Sequence, residues 1–108
     1  MLTISERKFE TFIVNHLNLI KPNIVIIHKQ KYLDKNHKID LICENKDGNY
    51  FLIELKVYPH LESFRQISQY LKLAEQKFPG ITGIIASIIP PKITLIEECK
   101  NNTSIEMF

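Results

Sequence analysis

Ile39-Asp40-Leu41-Ile42-Cys43-Glu44, then Asn45-Lys46-Asp47-Gly48, then Asn49-Tyr50-Phe51-Leu52-Ile53-Glu54-Leu55-Lys56 is the stretch whose reading decides the fold. Two apolar, β-prone runs flank a turn signal, so they fold back on each other as an antiparallel pair. Side chains alternate along a strand, which sends Glu54 and Lys56 to one face and Ile53, Leu55 and Val57 to the other. Asp40 on the first strand then comes to face Glu54 on the second. Two carboxylates and an ammonium inside strands are costly unless they pair or hold a cation. Hard oxygen donors at a sheet edge beside a lysine suit a divalent cation and an activated water.

Outward from this pair, residues 3–19 predict an amphipathic helix with Phe9, Phe12, Ile13, His16, Leu17 and Ile20 on its apolar side. Thr3 and Glu6 fit a capping box at its start, and Pro22 ends it. The β-branched run 24–28 is a first strand, followed by a polar loop from Tyr32 to Lys38. Beyond the third strand, 50–57, Pro59 precedes a second helix over 61–77 with Phe64, Ile67, Leu71 and Ala74 as its stripe. Pro79-Gly80 breaks it, and 83–89 reads as a fully buried strand. Pro90-Pro91 opens a short helix to Lys100, and 105–108 is a last short strand. The order αβββαβαβ predicts an α/β (mixed α+β) domain with a central mixed sheet and helices on both faces.

At 108 residues the chain makes one domain, 1–108, with neither repeat nor linker. Its 44% hydrophobic and 24% charged content is that of a soluble globular protein, without a membrane-spanning run or a signal peptide. Cys43 and Cys99 are too few for a disulfide framework, so both read as reduced thiols in a cytoplasmic protein. A net charge of +2 permits a nucleic-acid partner without demanding one. His16, His28, His37 and His60 lack zinc spacing, no serine sits in a nucleophile elbow, and no glycine-rich loop is present to cradle a nucleotide.

Four stretches in order carry a resemblance: Ser5-Glu6, Lys38-Ile39-Asp40-Leu41, Lys46-Asp47-Gly48 leading into Ile53-Glu54-Leu55-Lys56, and Gln66-Ile67-Ser68-Gln69-Tyr70. They resemble the PD-(D/E)XK nuclease superfamily, and more closely the C-terminal nuclease domain of the NucS/EndoMS mismatch-endonuclease family. The Gln-x-x-x-Tyr element is shared with RecB-like nucleases. The resemblance implies a restriction-endonuclease-like αβββαβ core and an endonuclease that cuts DNA with Mg²⁺ or Mn²⁺. It implies a metal held by Asp40, Glu54, the backbone carbonyl of Leu55 and Glu6, with Lys56 orienting the attacking water, and with Gln66 and Tyr70 orienting Lys56 or holding a DNA phosphate and the metal shell. The resembled enzymes carry an N-terminal DNA-binding and dimerising domain without a counterpart in this sequence, and are basic where this chain has Val57-Tyr58-Pro59. A homodimer, or a partner protein supplying DNA targeting, is therefore expected.

Each residue also has a plainer reading. Asp40 or Glu54 with Lys56 makes a cross-strand salt bridge, Glu6 a capping-box glutamate, and Gln66 with Tyr70 an ordinary helix face. Glu10, one turn after Glu6, is the alternative helix-one acid. Lys29, Lys31, Lys35 and Lys38 form either a solvated loop or a contact to the DNA backbone. A non-catalytic nucleic-acid-binding or interaction subunit with the same fold, and a junction-resolving nuclease, are the rival functions.

Overall fold

A computed structural model of the chain describes residues 4–88, 93–101 and 104–108. Helix α1 spans Ile4–Asn15 and is followed by a 3-10 turn, Leu17–Leu19. Strands β1 (Val25–Asp34), β2 (His37–Glu44) and β3 (Tyr50–Lys56) lead into α2 (Leu61–Ala74), and β4 (Thr82–Ser87), α3 (Ile93–Lys100) and β5 (Ile105–Met107) complete the chain. The five strands lie in sequence order in one sheet. β1, β2 and β3 pair antiparallel, whereas β3–β4 and β4–β5 pair parallel across the helical crossovers. The predicted mixed sheet with a helix on each face is what forms.

Alternation along the central strands builds two apolar layers. Leu41, Cys43, Phe51, Ile53, Ile84 and Ala86 pack with Ile13 of α1. Ile42, Leu52 and Ile85 pack with Ile67, Tyr70 and Ala74 of α2, with Phe78 and Ile105 closing the edge. Each fully buried Ile or Leu here contributes about 1.5–3 kcal/mol. The β2–β3 connection is the expected one: Gly48 takes φ +81, and the Asn45 side chain accepts the N–H groups of Asp47 and Asn49.

Several boundaries differ from the sequence reading. The stretch 32–38 is not a loop. β1 continues to Asp34, and the turn shrinks to Lys35 and Asn36, where Asp34 Oδ1 accepts the Asn36 N–H at 2.8 Å. Its charged residues are those of an edge strand, which lysines keep soluble. Phe12 lies outside the core, 48% exposed and stacked on His16, because the buried stripe of α1 centres on Ile13. α2 stops at Ala74 rather than Lys77, because the chain tightens there: the Lys77 N–H donates to the Ala74 carbonyl, three residues back, at 3.0 Å. β4 ends at Ser87, and Ile88 beyond it is half exposed. The Thr3 cap, Ile89, the Pro90-Pro91 opening and the Cys99 side chain lie outside what is described.

The β1–β2 pair is irregular: its register shifts between Ile26 and His28 and between Tyr32 and Asp34, and between those shifts the alternation of faces breaks. On β2, Leu41 lies in the α1 layer, yet Ile39, which regular alternation would place on the same face, lies in the α2 layer. Their partners on β1 are Lys29, which borders a groove with α1, and Lys31. The pleat therefore reverses between these residues, at Gln30 and Asp40. Gln30 has φ +48, a left-handed conformation costing a side-chain-bearing residue roughly 1–2 kcal/mol.

Candidate active site

The β2–β3 ladder runs from Glu44↔Tyr50 to Leu41↔Ile53 and stops, while β3 stays paired to β4 as far as Lys56↔Ser87. At the parting, side chains replace the ladder. Glu54 Oε1 accepts the Asp40 N–H at 3.2 Å, and Asp40 Oδ2 accepts the Leu55 N–H at 2.8 Å. The expectation that Asp40 faces Glu54 holds, and the reason the strands splay there is now visible: each carboxylate caps a backbone amide that the missing ladder would have satisfied.

The parting opens a cavity of about 330 Å³ lined by Glu6, Lys38, Asp40, Glu54, Leu55, Lys56, Gln66 and Tyr70, together with Val57 and Tyr58. Every residue assigned to the chemistry from sequence thus borders one space. Glu6 reaches it from the first turn of α1. Glu10 does not line it and borders the neighbouring groove with Arg7 and Lys29.

Lys56 does not form the salt bridge of the plainer reading. Its Nζ donates to Gln66 Oε1 at 2.8 Å, and Gln66 Nε2 donates to the Tyr70 hydroxyl at 3.0 Å. Gln66 and Tyr70 lie one turn apart on α2, which Ser63 starts by accepting the His60 N–H. Tyr70 is buried, and burial together with the charge of Glu54 pushes its hydroxyl pKa up. The ring of His37 meets the edge of Tyr70 at 5.9 Å, while its Nδ1 is bonded to Asp34 at 2.7 Å.

Glu54 is only 4% exposed. Burial first, then the neighbouring Asp40 charge, pushes its carboxyl up to about 8, against the opposing pull of the Asp40 N–H and Lys56. A buried acid held off ionisation by a second acid has the chemistry of a site that a cation completes. Oxygen donors from Asp40, Glu54 and Leu55 fit a hard cation such as Mg²⁺ or Mn²⁺ that keeps several waters. Among the described residues no group of three or more His, Cys, Asp or Glu side chains is clustered to hold a metal alone. Glu6 therefore lines the site without completing a preassembled cage.

The four lysines grouped from sequence separate. Lys38 lines the cavity with its ammonium 5.7 Å from the Tyr32 ring centroid, Lys29 borders the α1 groove, Lys35 sits at the hairpin turn, and Lys31 lies near enough to His28 to lower its pKa, behind burial as the larger cause. Two features had no sequence signal. Gln30 Nε2 donates to Asp40 Oδ1 at 3.3 Å and to Glu10 Oε2 at 3.4 Å, and a left-handed glutamine cannot be read from a strand pattern. The Asp34–His37 pair depends on a tight turn without glycine.

This five-stranded mixed sheet with a helix on each face is a fold found in solved repair endonucleases. A repair endonuclease from Pyrococcus abyssi superposes with TM-score 0.79 over 99% of this chain, at 17% identity. EndoMS in a complex with double-stranded DNA gives 0.77 over 99%, and EndoMS in its apo form 0.78 over 99%, both at 18% identity. The chain spans about half the length of these relatives: 46%, 45% and 46% in that order. No curated protein shows significant sequence similarity to it. Residues 5–104 match the endonuclease NucS C-terminal domain, and the chain belongs to that family.

Proposed function

We propose that the chain is a Mg²⁺- or Mn²⁺-dependent deoxyribonuclease that hydrolyses phosphodiester bonds within DNA, acting in repair in the reducing cytoplasm. The observation that carries this reading is the juxtaposition of Asp40 and buried Glu54 at the strand parting, with Lys56 held beside them by Gln66. A divalent cation bound there would polarise the scissile phosphate and lower the pKa of a bound water. Asp40, Glu54 and the Leu55 carbonyl provide the oxygen donors, and Glu6 adds a carboxylate from the far wall. Lys56, held at its amide partner, presents its remaining protons to the attacking water and to the charge that grows on the phosphate oxygens. Tyr70 and Gln66 fix the Lys56 ammonium in place and so lower the entropy lost in reaching the transition state.

DNA as the substrate is supported by the relative solved with double-stranded DNA and by the cations around the cavity, Lys38 and Lys56 within it and Lys29 beside it. We also infer a symmetric homodimer or a DNA-targeting partner, because one domain of this size offers little surface for a duplex. The test is cleavage of labelled single-stranded, duplex, mismatched, flapped and four-way-junction DNA in EDTA, Mg²⁺ or Mn²⁺, beside Glu54→Ala. Metal-dependent cutting that the variant loses is the expected result. A folded wild type that neither cuts any of these nor binds a divalent cation by calorimetry would leave a non-catalytic binding subunit.

A further inference from the structure

Gln30 lies opposite Asp40 where the pleat of the β1–β2 pair reverses, and it holds the left-handed φ of +48 in the middle of a strand. Glycine takes that conformation without strain, and asparagine more readily than glutamine. Strain in a side-chain-bearing residue at the border of a site points toward a task for its side chain. The side chain is also the one that reaches both carboxylates flanking it: one amide nitrogen, with two hydrogens, donates to Asp40 Oδ1 and to Glu10 Oε2. Asp40 is then gripped at both oxygens, by the Gln30 amide on Oδ1 and by the Leu55 N–H on Oδ2. Each oxygen keeps a lone pair for a cation, and the plane of the carboxylate is set.

We infer that Gln30 is the positioning residue of the site: its strained backbone turns Asp40 toward Glu54, and its amide, anchored on α1 through Glu10, holds the Asp40 carboxylate in the orientation a cation requires. The consequence for cleavage rests on the nuclease reading; the positioning of Asp40 does not. Glu10 accordingly serves as an anchor behind the site rather than as the helix-one acid within it, the position that Glu6 occupies.

The test uses Gln30→Gly and Gln30→Asn, both of which accept the left-handed backbone while lacking a side chain long enough to bridge the two acids. Three readouts are taken on the whole chain: the metal-free melting temperature, hydrogen exchange of the Leu55 amide, and Mn²⁺ affinity by calorimetry. The expected result is a melting temperature at or above that of the wild type, Leu55 exchange at least about tenfold faster with the β3–β4 amides unchanged, and Mn²⁺ binding weakened about 10–100-fold. Unchanged Leu55 exchange in both variants, or a fall in melting temperature in both, would overturn the inference and leave Gln30 a structural residue. If the wild type itself binds no Mn²⁺, the nuclease reading fails on that ground, and the positioning role still stands or falls on Leu55 exchange.

Discussion

Glu54 carries the strongest electrostatic consequence of any single side chain here. Its carboxyl, ordinarily near 4.5, is pushed up to about 8 by burial and by Asp40. Between those values the native metal-free protein holds a proton that the unfolded chain has released. Native protein then binds more protons than unfolded, so stability falls as pH rises from about 4.5 to about 8, by at most about 1.4 kcal/mol per unit. Thermal melts of the metal-free chain between pH 5 and 8.5 should show this decline, and Glu54→Gln should flatten it. A cation bound as proposed would take the place of the proton, so the rise in melting temperature on adding Mg²⁺ or Mn²⁺ should grow with pH in the wild type and vanish in Glu54→Gln. A pH-independent metal effect would place the cation elsewhere. Tyr70→Phe is a second probe at this scale. It leaves the Gln66 Nε2 without its acceptor, at a cost of about 1–2 kcal/mol, and loosens the hold on Lys56. Single-turnover cleavage should slow about tenfold or more with little change in substrate affinity, whereas a merely structural Tyr70 would lower stability alone.

At the level of elements, the site depends on how α2 lies on β4, because α2 delivers Gln66 and Tyr70. Gly83 sets that approach: a Cβ there would meet Ile67 Cδ1 at 2.9 Å and Leu71 Cδ1 at 3.1 Å, and Ile67 is fully buried. Gly83→Ala should therefore cost about 1–3 kcal/mol, measured by denaturant unfolding, as the helix shifts to make room. An unchanged midpoint would show that Ile67 has a free rotamer. The β2–β3 pair was legible because alternation and an Asn45–Gly48 turn signal agree, and with it came the facing of Asp40 and Glu54. The helix pair Gln66 and Tyr70 was legible through spacing and family resemblance together. The β1–β2 hairpin was not, because Lys29 to Lys38 has neither period nor glycine, and its turn is closed by Asp34 instead. Nor was the pleat reversal: it needs a glutamine in a conformation that its residue type disfavours, a choice made by the tertiary contacts to Glu10 and Asp40.

For the whole molecule, the proposed function requires a domain of net charge +2 to hold a polyanion. Five described residues among its 14 lysines and arginines border the cavity or the clefts beside it. Lys38 and Lys56 line it, Arg7 and Lys29 border the groove toward α1, and Arg65 borders the cleft that continues past His37 along α2. Arg65 is exposed and paired with an equally exposed Glu62, a pair weak enough to be exchanged for a phosphate. A duplex laid across the cavity from either side thus meets about three or four of these cations. Each neutralised phosphate contributes about −0.9 to the slope of log affinity against log salt, so one domain should show a slope near −3. Between 50 and 200 mM salt that is a loss of about sixtyfold. Two copies of the chain bound symmetrically to one duplex should double the slope to about −6. Fluorescence anisotropy of Glu54→Ala, the variant expected to lose cleavage, on duplex DNA, in parallel with sedimentation of the complex, separates these cases. A slope near −3 with one chain bound describes a domain that relies on a separate DNA-targeting partner, and such a domain should nick one strand. A slope near −6 with two chains describes a self-sufficient dimer whose two cavities cut both strands. A slope near zero would remove the duplex as the substrate, because no arrangement of this cavity reaches a phosphodiester without displacing counterions from its neighbours.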